Sequence, residues 1–211
     1  MKEIQVLKPN VIPVRKHVSS ESLSIIGIPV RFHRTTLDDF NTFNNDSMVS
    51  IKGFVHDYLS LISTKARHSP QDGIFFYGSN GVGKTMLSSI ILKQAYRYRY
   101  SCQRVTFIKY VDSYTSSWNK EVETTTFWEH CKSVDYLVLE EVGKEIDSKI
   151  TKPILEDLLR YREEKGLTTI MCTNLPVKDL EELYGASIMS LIRGNMIPVK
   201  LTGKDRRYVT N

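Results

Sequence analysis

The chain has 211 residues, 41% of them hydrophobic, enough to bury one full core with room for a short appendage. Its formal net charge of +5 favours a polyanionic partner without identifying one. Cys102, Cys131 and Cys172 are widely spaced with no C-x-x-C, the N-terminus is too polar for a secretory signal, and no apolar run approaches about 18 residues. Disulfide scaffolds, zinc sites and membrane spans are therefore not expected, and a soluble intracellular protein is.

Residues 1–24 carry two prolines, scattered charge and little periodicity, and read as an arm or linker, a candidate for partner docking. Ile25 to Pro29 leads into a segment where Thr36 is placed to cap a short helical turn. Residues 48–66 have near-helical apolar spacing through Val49, Phe54, Val55, Tyr58, Leu59, Leu61 and Ile62. The run Gly73 to Tyr77 predicts a strand, and Lys84 to about Tyr100 a helix with Leu87, Ile90, Ile91 and Ala95 on its buried side. Arg104 to Ile108 predicts a second strand, followed by short helices over 110–119 and 124–132. Tyr136 to Leu139 is continuously apolar, as suits a strand buried on both faces. A helix over 151–165 ends at Gly166. Thr168 to Cys172 predicts a strand, 179–183 and 186–193 predict helices, and Ile197 to Leu201 a last strand. Strands alternating with helices imply a three-layer α/β fold around a central parallel sheet, with ligands at the carboxyl ends of the strands.

One such strand end carries Gly78, Ser79, Asn80, Gly81, Val82, Gly83, Lys84 and Thr85, which fit the phosphate-binding pattern G-x-x-x-x-G-K-[ST] between a strand and a helix. Glycines let successive backbone N–H groups turn inward toward phosphate oxygens, and the following helix adds its positive end. Lys84 is expected to reach the β- and γ-phosphates and the Thr85 hydroxyl to hold Mg²⁺, with Met86 adjoining the nucleotide.

The strand at 136–139 runs into Glu140 and Glu141. The first carboxylate is expected to help hold Mg²⁺ and the second to orient or activate the attacking water, although adjacent acids also occur in plain exposed turns. Asn174, at the tip of the strand ending near Cys172, suits a γ-phosphate contact, or ordinary turn chemistry before Leu175-Pro176. Hydrolysis also wants a cation on the developing charge, often supplied by a neighbouring subunit. Arg193 is one candidate, although an arginine in a last helical turn before glycine also suits the helix dipole. Arg206 and Arg207 are the alternatives.

The ordered motifs resemble the bacterial helicase loaders of the DnaC/DnaI type, AAA+ ATPases with the transposition helper IstB as close kin. The resemblance runs from about Ile25 to Arg207. It includes Gly27-Ile-Pro-Val-Arg31, Thr36-Leu-Asp-Asp-Phe40, the phosphate loop, Leu137-Val-Leu-Glu-Glu-Val-Gly143, Thr173-Asn-Leu-Pro176, Leu183-Tyr-Gly-Ala-Ser-Ile-Met-Ser190 and Leu201-Thr-Gly-Lys-Asp-Arg-Arg207. It implies an AAA+ domain over 25–211 without a sizeable helical lid. It further implies ATP and Mg²⁺ as cofactors, Lys84 and Thr85 as the Walker A pair, Glu140 and Glu141 as the Walker B acids, Asn174 as first sensor and Arg207 (or Arg206) as second. Residues 36–40 are expected near the adenine. The implied partners are a hexameric replicative helicase, single-stranded DNA and further copies of the chain in an ATP-dependent oligomer, in the cytoplasm of a bacterial or phage-infected cell.

Two departures stand out. Glu140 occupies a position where most such sites carry aspartate, and Leu191 occupies the position where related chains often place the trans-acting arginine, leaving Arg193 two residues along. Slow or partner-dependent hydrolysis is the expectation. Loaders of this type usually carry a large N-terminal helicase-binding domain, so docking here is expected to use the arm or the ATPase surface. The resemblance also implies a DNA groove between Phe107 and the carboxylates, where Lys109, Tyr110, Tyr114, Trp118 and Lys120 combine charge with aromatic faces. The i, i+4, i+8 spacing of Tyr110, Tyr114 and Trp118 equally describes a helix face packed on the core. The alternatives to a loader are an IstB-like transposition helper and a nucleotide-binding adaptor with little hydrolysis. A small-molecule kinase would want an arginine-rich lid and an acceptor pocket, neither of which is evident.

Overall fold

The computed structural model describes residues 18–64, 73–117, 126–144, 148–203 and 205–206. Five parallel strands form one sheet: β1 (Gly73–Tyr77), β2 (Cys102–Thr106), β3 (Tyr136–Glu140), β4 (Thr168–Thr173) and β5 (Met196–Lys200), in the spatial order β2-β3-β4-β1-β5. The three central strands are almost wholly buried, which is why they read as unbroken apolar runs.

Alternation along each strand divides the core in two. On one face Ile74, Phe76, Val138 and Ile170 pack beneath α1 (Ser20–Ile25), α2 (Asp46–Thr64) and α3 (Lys84–Arg97). On the other, Phe75, Leu137, Leu139 and Met171 pack beneath α4 (Phe107–Ser116), α5 (Phe127–Ser133), α6 (Ser148–Glu164) and α7 (Val177–Asn195). This is the three-layer P-loop architecture the sequence predicts, and no separate helical lid occurs among the described residues. No helix among them is long and apolar enough to cross a membrane.

Several boundaries differ from expectation. The second strand stops at Thr106 and Phe107 opens α4, because Thr106 pairs with Glu140 at the last rung of the ladder and Phe107 turns into the core. The helix at 84–97 ends earlier than Tyr100, where Arg99 takes a left-handed conformation (φ 68°). Thr36 caps no helix; its N–H and hydroxyl both donate to the Asp39 carboxylate, at 2.7 and 3.0 Å, and close a turn. The two C-terminal helices run together and are broken only at Gly185 (φ 81°, ψ 173°).

Within the stretch read as an arm, α1 is capped by the Ser19 hydroxyl and buries Leu23. Past α1, Arg104 N donates to Ile26 O at 2.8 Å along the edge of β2. Gly27 (φ 83°) lies so close to that strand that a Cβ would stand 2.2 Å from Arg104 O, so only glycine fits. On the opposite face, the buried Arg162 of α6 donates to Thr169 Oγ1 and to the carbonyls of Lys132, Val134 and Thr168 at 2.6–2.9 Å. It ties α6 to the end of α5 and to the start of β4.

Candidate nucleotide site

The carboxyl ends of β1, β3 and β4 open into a cleft of about 510 Å³. Its floor is the loop between β1 and α3, and α3 starts at Lys84 because Gly83 turns left-handed (φ 112°) ahead of it. A side chain at Gly83 would meet Phe40 Cε2 at 2.7 Å, so the close approach of Phe40 requires the glycine as well. Lys84 is buried, and its Nζ donates to the carbonyls of Gly78 and Ser79, both at 2.6 Å. Burial lowers its pKa, while the nearby Glu140 carboxylate acts in the opposite direction.

Beyond the lysine, Thr85 Oγ1 donates to Glu140 Oε2 at 3.0 Å and Ser88 Oγ to Glu140 Oε1 at 2.8 Å. Glu140 is buried at the last residue of β3, and Arg104 Nε lies 3.5 Å from its Oε1. Glu141 turns outward in a left-handed conformation (φ 61°) and pairs with Lys144 at 3.0 Å. The two neighbouring acids therefore point differently, one onto α3 and one toward the cleft mouth. Thr173 Oγ1 donates to Val142 O at 2.7 Å and accepts from Leu175 N at 3.1 Å, which joins the tips of β3 and β4 and sets Asn174 on the cleft wall.

The far lip is built from the turns around residues 27–43 and from the C-terminal segment. Lys93 Nζ donates to the carbonyls of Phe32 (2.9 Å), His33 (3.2 Å) and Thr35, and so pins residues 32–35 to α3. Arg31, Phe32, Asn41 and Phe43 then face the phosphate loop across the cleft. From the C-terminal side, Leu201 N donates to Tyr77 O, and Arg206 closes over the loop. Its N–H donates to Gly81 O at 3.0 Å, its Nε to Val82 O at 2.8 Å, and its guanidinium stacks 4.0 Å from the Phe40 ring centroid. Burial lowers the Arg206 pKa.

Of the residues expected at the nucleotide, Asn80, Gly81, Gly83, Lys84, Thr85, Met86, Glu140, Glu141 and Asn174 line this one cleft. Val82 is buried beneath it, and Gly78 and Ser79 hold Lys84 through their carbonyls. Arg207 lies outside the described residues, and Arg206 is the arginine that reaches the loop. Arg193 is not on the cleft; it is exposed and pairs with Glu181 at 3.1 Å.

The proposed DNA-contacting residues divide. Lys109 is exposed, whereas Tyr110 is fully buried with its hydroxyl unpartnered among the described residues, so it cannot offer a face to a base. The aromatic spacing is a core stripe: Phe107, Tyr110 and Val111 pack on the sheet, and Tyr114 meets Trp128 edge-on at 4.8 Å. Trp118 and Lys120 lie outside the described residues.

The donor set suits a magnesium nucleotide. A hydroxyl and a carboxylate stand side by side as hard oxygen donors, with an ammonium and a helix N-terminus beside them. Among the described residues no group of three or more His, Cys, Asp or Glu side chains is placed to cage a metal alone.

The sheet order, the phosphate loop and the two acids at the tip of β3 define a P-loop protein with the AAA+ fold. No protein-family model matches the chain. In sequence it is similar to the replicative helicase loader DnaI of Bacillus subtilis (strain 168), 25% identical over 152 residues, which is 64% of this chain and 48% of that protein. Among solved structures, the DnaC helicase loader aligns with a TM-score of 0.64 at 22% identity, covering 82% of this chain and 99% of that one. DnaI also aligns with a TM-score of 0.64, at 24% identity, covering 86% and 95%. The DnaC/DnaI-type resemblance read from the motifs is thus borne out, and the chain spans about half the length of the curated relative it matches.

Proposed function

We propose that the chain binds Mg·ATP in this cleft and acts as an ATP-dependent loader, helping to place a hexameric replicative helicase on single-stranded DNA. The observation that carries the nucleotide reading is the convergence of Lys84, Thr85, Glu140, Glu141, Asn174 and Arg206 on one cleft. The loader reading rests on the likeness to DnaI and DnaC.

In this reading the loop amides and Lys84 bind the phosphates, and Thr85 and Glu140 hold Mg²⁺, whose charge would neutralise the β- and γ-phosphate oxygens. Glu141, at the cleft mouth, orients the attacking water and takes its proton. Asn174 donates to the γ-phosphate, and Arg206 holds the phosphate loop against the Phe40 side of the cleft. DNA contact falls to exposed charge such as Lys109 rather than to Tyr110. Location in the cytoplasm follows from the loader role.

A second reading, a nucleotide-binding adaptor with little turnover, is favoured by one observation. Glu140 is engaged by Thr85, Ser88 and Arg104 together.

The test is ATP hydrolysis by the chain with and without single-stranded DNA and the cognate helicase, beside Lys84→Ala. Partner-stimulated turnover lost in Lys84→Ala supports the loader. Helicase binding without turnover supports the adaptor, and stimulation by duplex DNA alone supports a transposition helper.

A further inference from the structure

Glu140 is one methylene longer than the aspartate usual at its position, and the added length has a visible use. Its carboxylate spans Thr85 and Ser88 on α3 and faces Arg104 on β2. The Glu140 side chain is 4% exposed and that of Arg104 17%, so the two charges meet largely out of water. Arg104 Nε has no hydrogen-bond acceptor among the described residues, and its charge is directed at that carboxylate.

The other end of the same guanidinium goes elsewhere. Nη1 donates to Gly27 O at 3.2 Å, while the Arg104 main chain accepts the close packing of Gly27 and donates to Ile26 O. Residues 26–29 lead directly into the 3₁₀ turn Val30–Phe32, whose Arg31 and Phe32 form the cleft lip. One side chain thus touches both the carboxylate expected at the metal and the segment that joins α1 to the lip.

We propose that Arg104 is a positioning residue that holds Glu140 on α3 and couples the state of that carboxylate to the Ile26–Gly27 segment. The inference rests on the magnesium-nucleotide reading above. A dication arriving between Thr85 and Glu140 carries the same sign of charge as Arg104. It weakens the attraction between the two side chains and with it the arginine's hold on Gly27. Binding at the cleft is in this way transmitted to α1, on the far side of β2.

The experiment combines binding of a fluorescent ATP analogue, titrated with Mg²⁺, with amide hydrogen exchange over residues 19–30. It compares the unmodified chain, Arg104→Met and Arg104→Lys. In the unmodified chain Mg²⁺-nucleotide should speed exchange across residues 23–28 by about fivefold, and nucleotide with chelator should not. Arg104→Met should exchange fast throughout, without responding to ligand, and should need about tenfold less Mg²⁺ for half-saturation because a like charge has gone. Arg104→Lys keeps the charge but has no second nitrogen for Gly27 O, so its Mg²⁺ requirement should hold while its exchange response disappears. If Arg104→Met does not fold, the exchange response of Arg104→Lys decides. An unchanged Mg²⁺ requirement in Arg104→Met, a retained response in Arg104→Lys, or an unmodified chain whose exchange ignores Mg²⁺-nucleotide overturns the coupling. An unmodified chain that binds the analogue no better than Lys84→Ala overturns the nucleotide reading itself and this inference with it.

Discussion

Replacing Arg162 by methionine should destabilise the protein by about 3 kcal/mol, although this residue does not line the cleft. Arg162 is 1% exposed and is held by neutral acceptors. Thr169 Oγ1, the carbonyls of Lys132 and Val134, and that of Thr168 lie at 2.9, 2.9, 2.9 and 2.6 Å, with longer contacts to Cys131 O and Asp135 O, both at 3.4 Å. Burial lowers its pKa to about 9, which still leaves it a cation at neutral pH. Methionine has similar bulk and no donor. Four acceptors, three of them buried and the Lys132 carbonyl partly so, each lose about 1.5 kcal/mol of satisfied hydrogen bonding, roughly 6 kcal/mol in all. Removing the buried charge returns about 3 kcal/mol of desolvation cost. Urea unfolding followed by circular dichroism reads the difference. With a slope of about 2 kcal/mol/M, the midpoint should fall by about 1.5 M with the slope unchanged. Arg162→Lys should lose about 2 kcal/mol, because one ammonium cannot reach acceptors spread around a planar fork. A midpoint shift of under about 0.5 M in Arg162→Met, or a lysine variant equal to the parent, would refute the claim that this hydrogen-bond cluster pins α6.

Glu141→Gln should bind nucleotide about as tightly as the parent and hydrolyse it about 10²- to 10³-fold more slowly, since it removes the proposed base and leaves Lys84 and Thr85 in place. Filter binding and phosphate release separate the two effects, and equal loss in both would place Glu141 among the binding groups instead. Tyr110→Phe should leave stability within about 0.5 kcal/mol and single-stranded DNA affinity unchanged, because its buried hydroxyl has no partner among the described residues and its ring faces the core. A fall in DNA affinity at unchanged stability would instead mean that the hydroxyl reaches DNA. The three thiols are buried, and burial raises the pKa of each, that of Cys131 to about 12. The folded chain should therefore react slowly with a thiol reagent at pH 8 and still slowly at pH 9, where the rate rises about tenfold but thiolate remains a small fraction, because both values lie well below the raised pKa. Rapid labelling of the native chain at pH 8 would contradict that burial.

The three central strands were legible because parallel strands covered on both faces must be apolar throughout, and Ile74–Phe76, Leu137–Leu139 and Ile170–Cys172 are. The phosphate loop and the paired acids were legible for a related reason: their chemistry depends on a short run of fixed residue types. The end of β2 was not, since Phe107 is equally apolar as the last residue of a strand or the first buried residue of a helix. Tyr110 and Tyr114 show the same ambiguity, because a spacing of three or four residues places aromatic rings on one helix face without saying whether that face meets DNA or the core.

Periodicity gave no signal for the cleft lip; only the resemblance pointed to residues 27–31 and 36–40. Arg31, Phe32, Asn41 and Phe43 belong to turns, and they reach the nucleotide side only because Lys93 gathers the carbonyls of residues 32–35 and Arg206 stacks on Phe40. By itself the sequence determined the class of fold and the groups able to meet a phosphate and a divalent cation, because both follow from period and residue type within short windows. Only the tertiary structure decided that Glu140 rests on Ser88, Thr85 and Arg104, that Arg206 stacks on Phe40 while it holds the loop, and that Tyr110 is core. Those outcomes depend on which distant segments the sheet brings within a few ångströms of one another, and no local pattern encodes that distance.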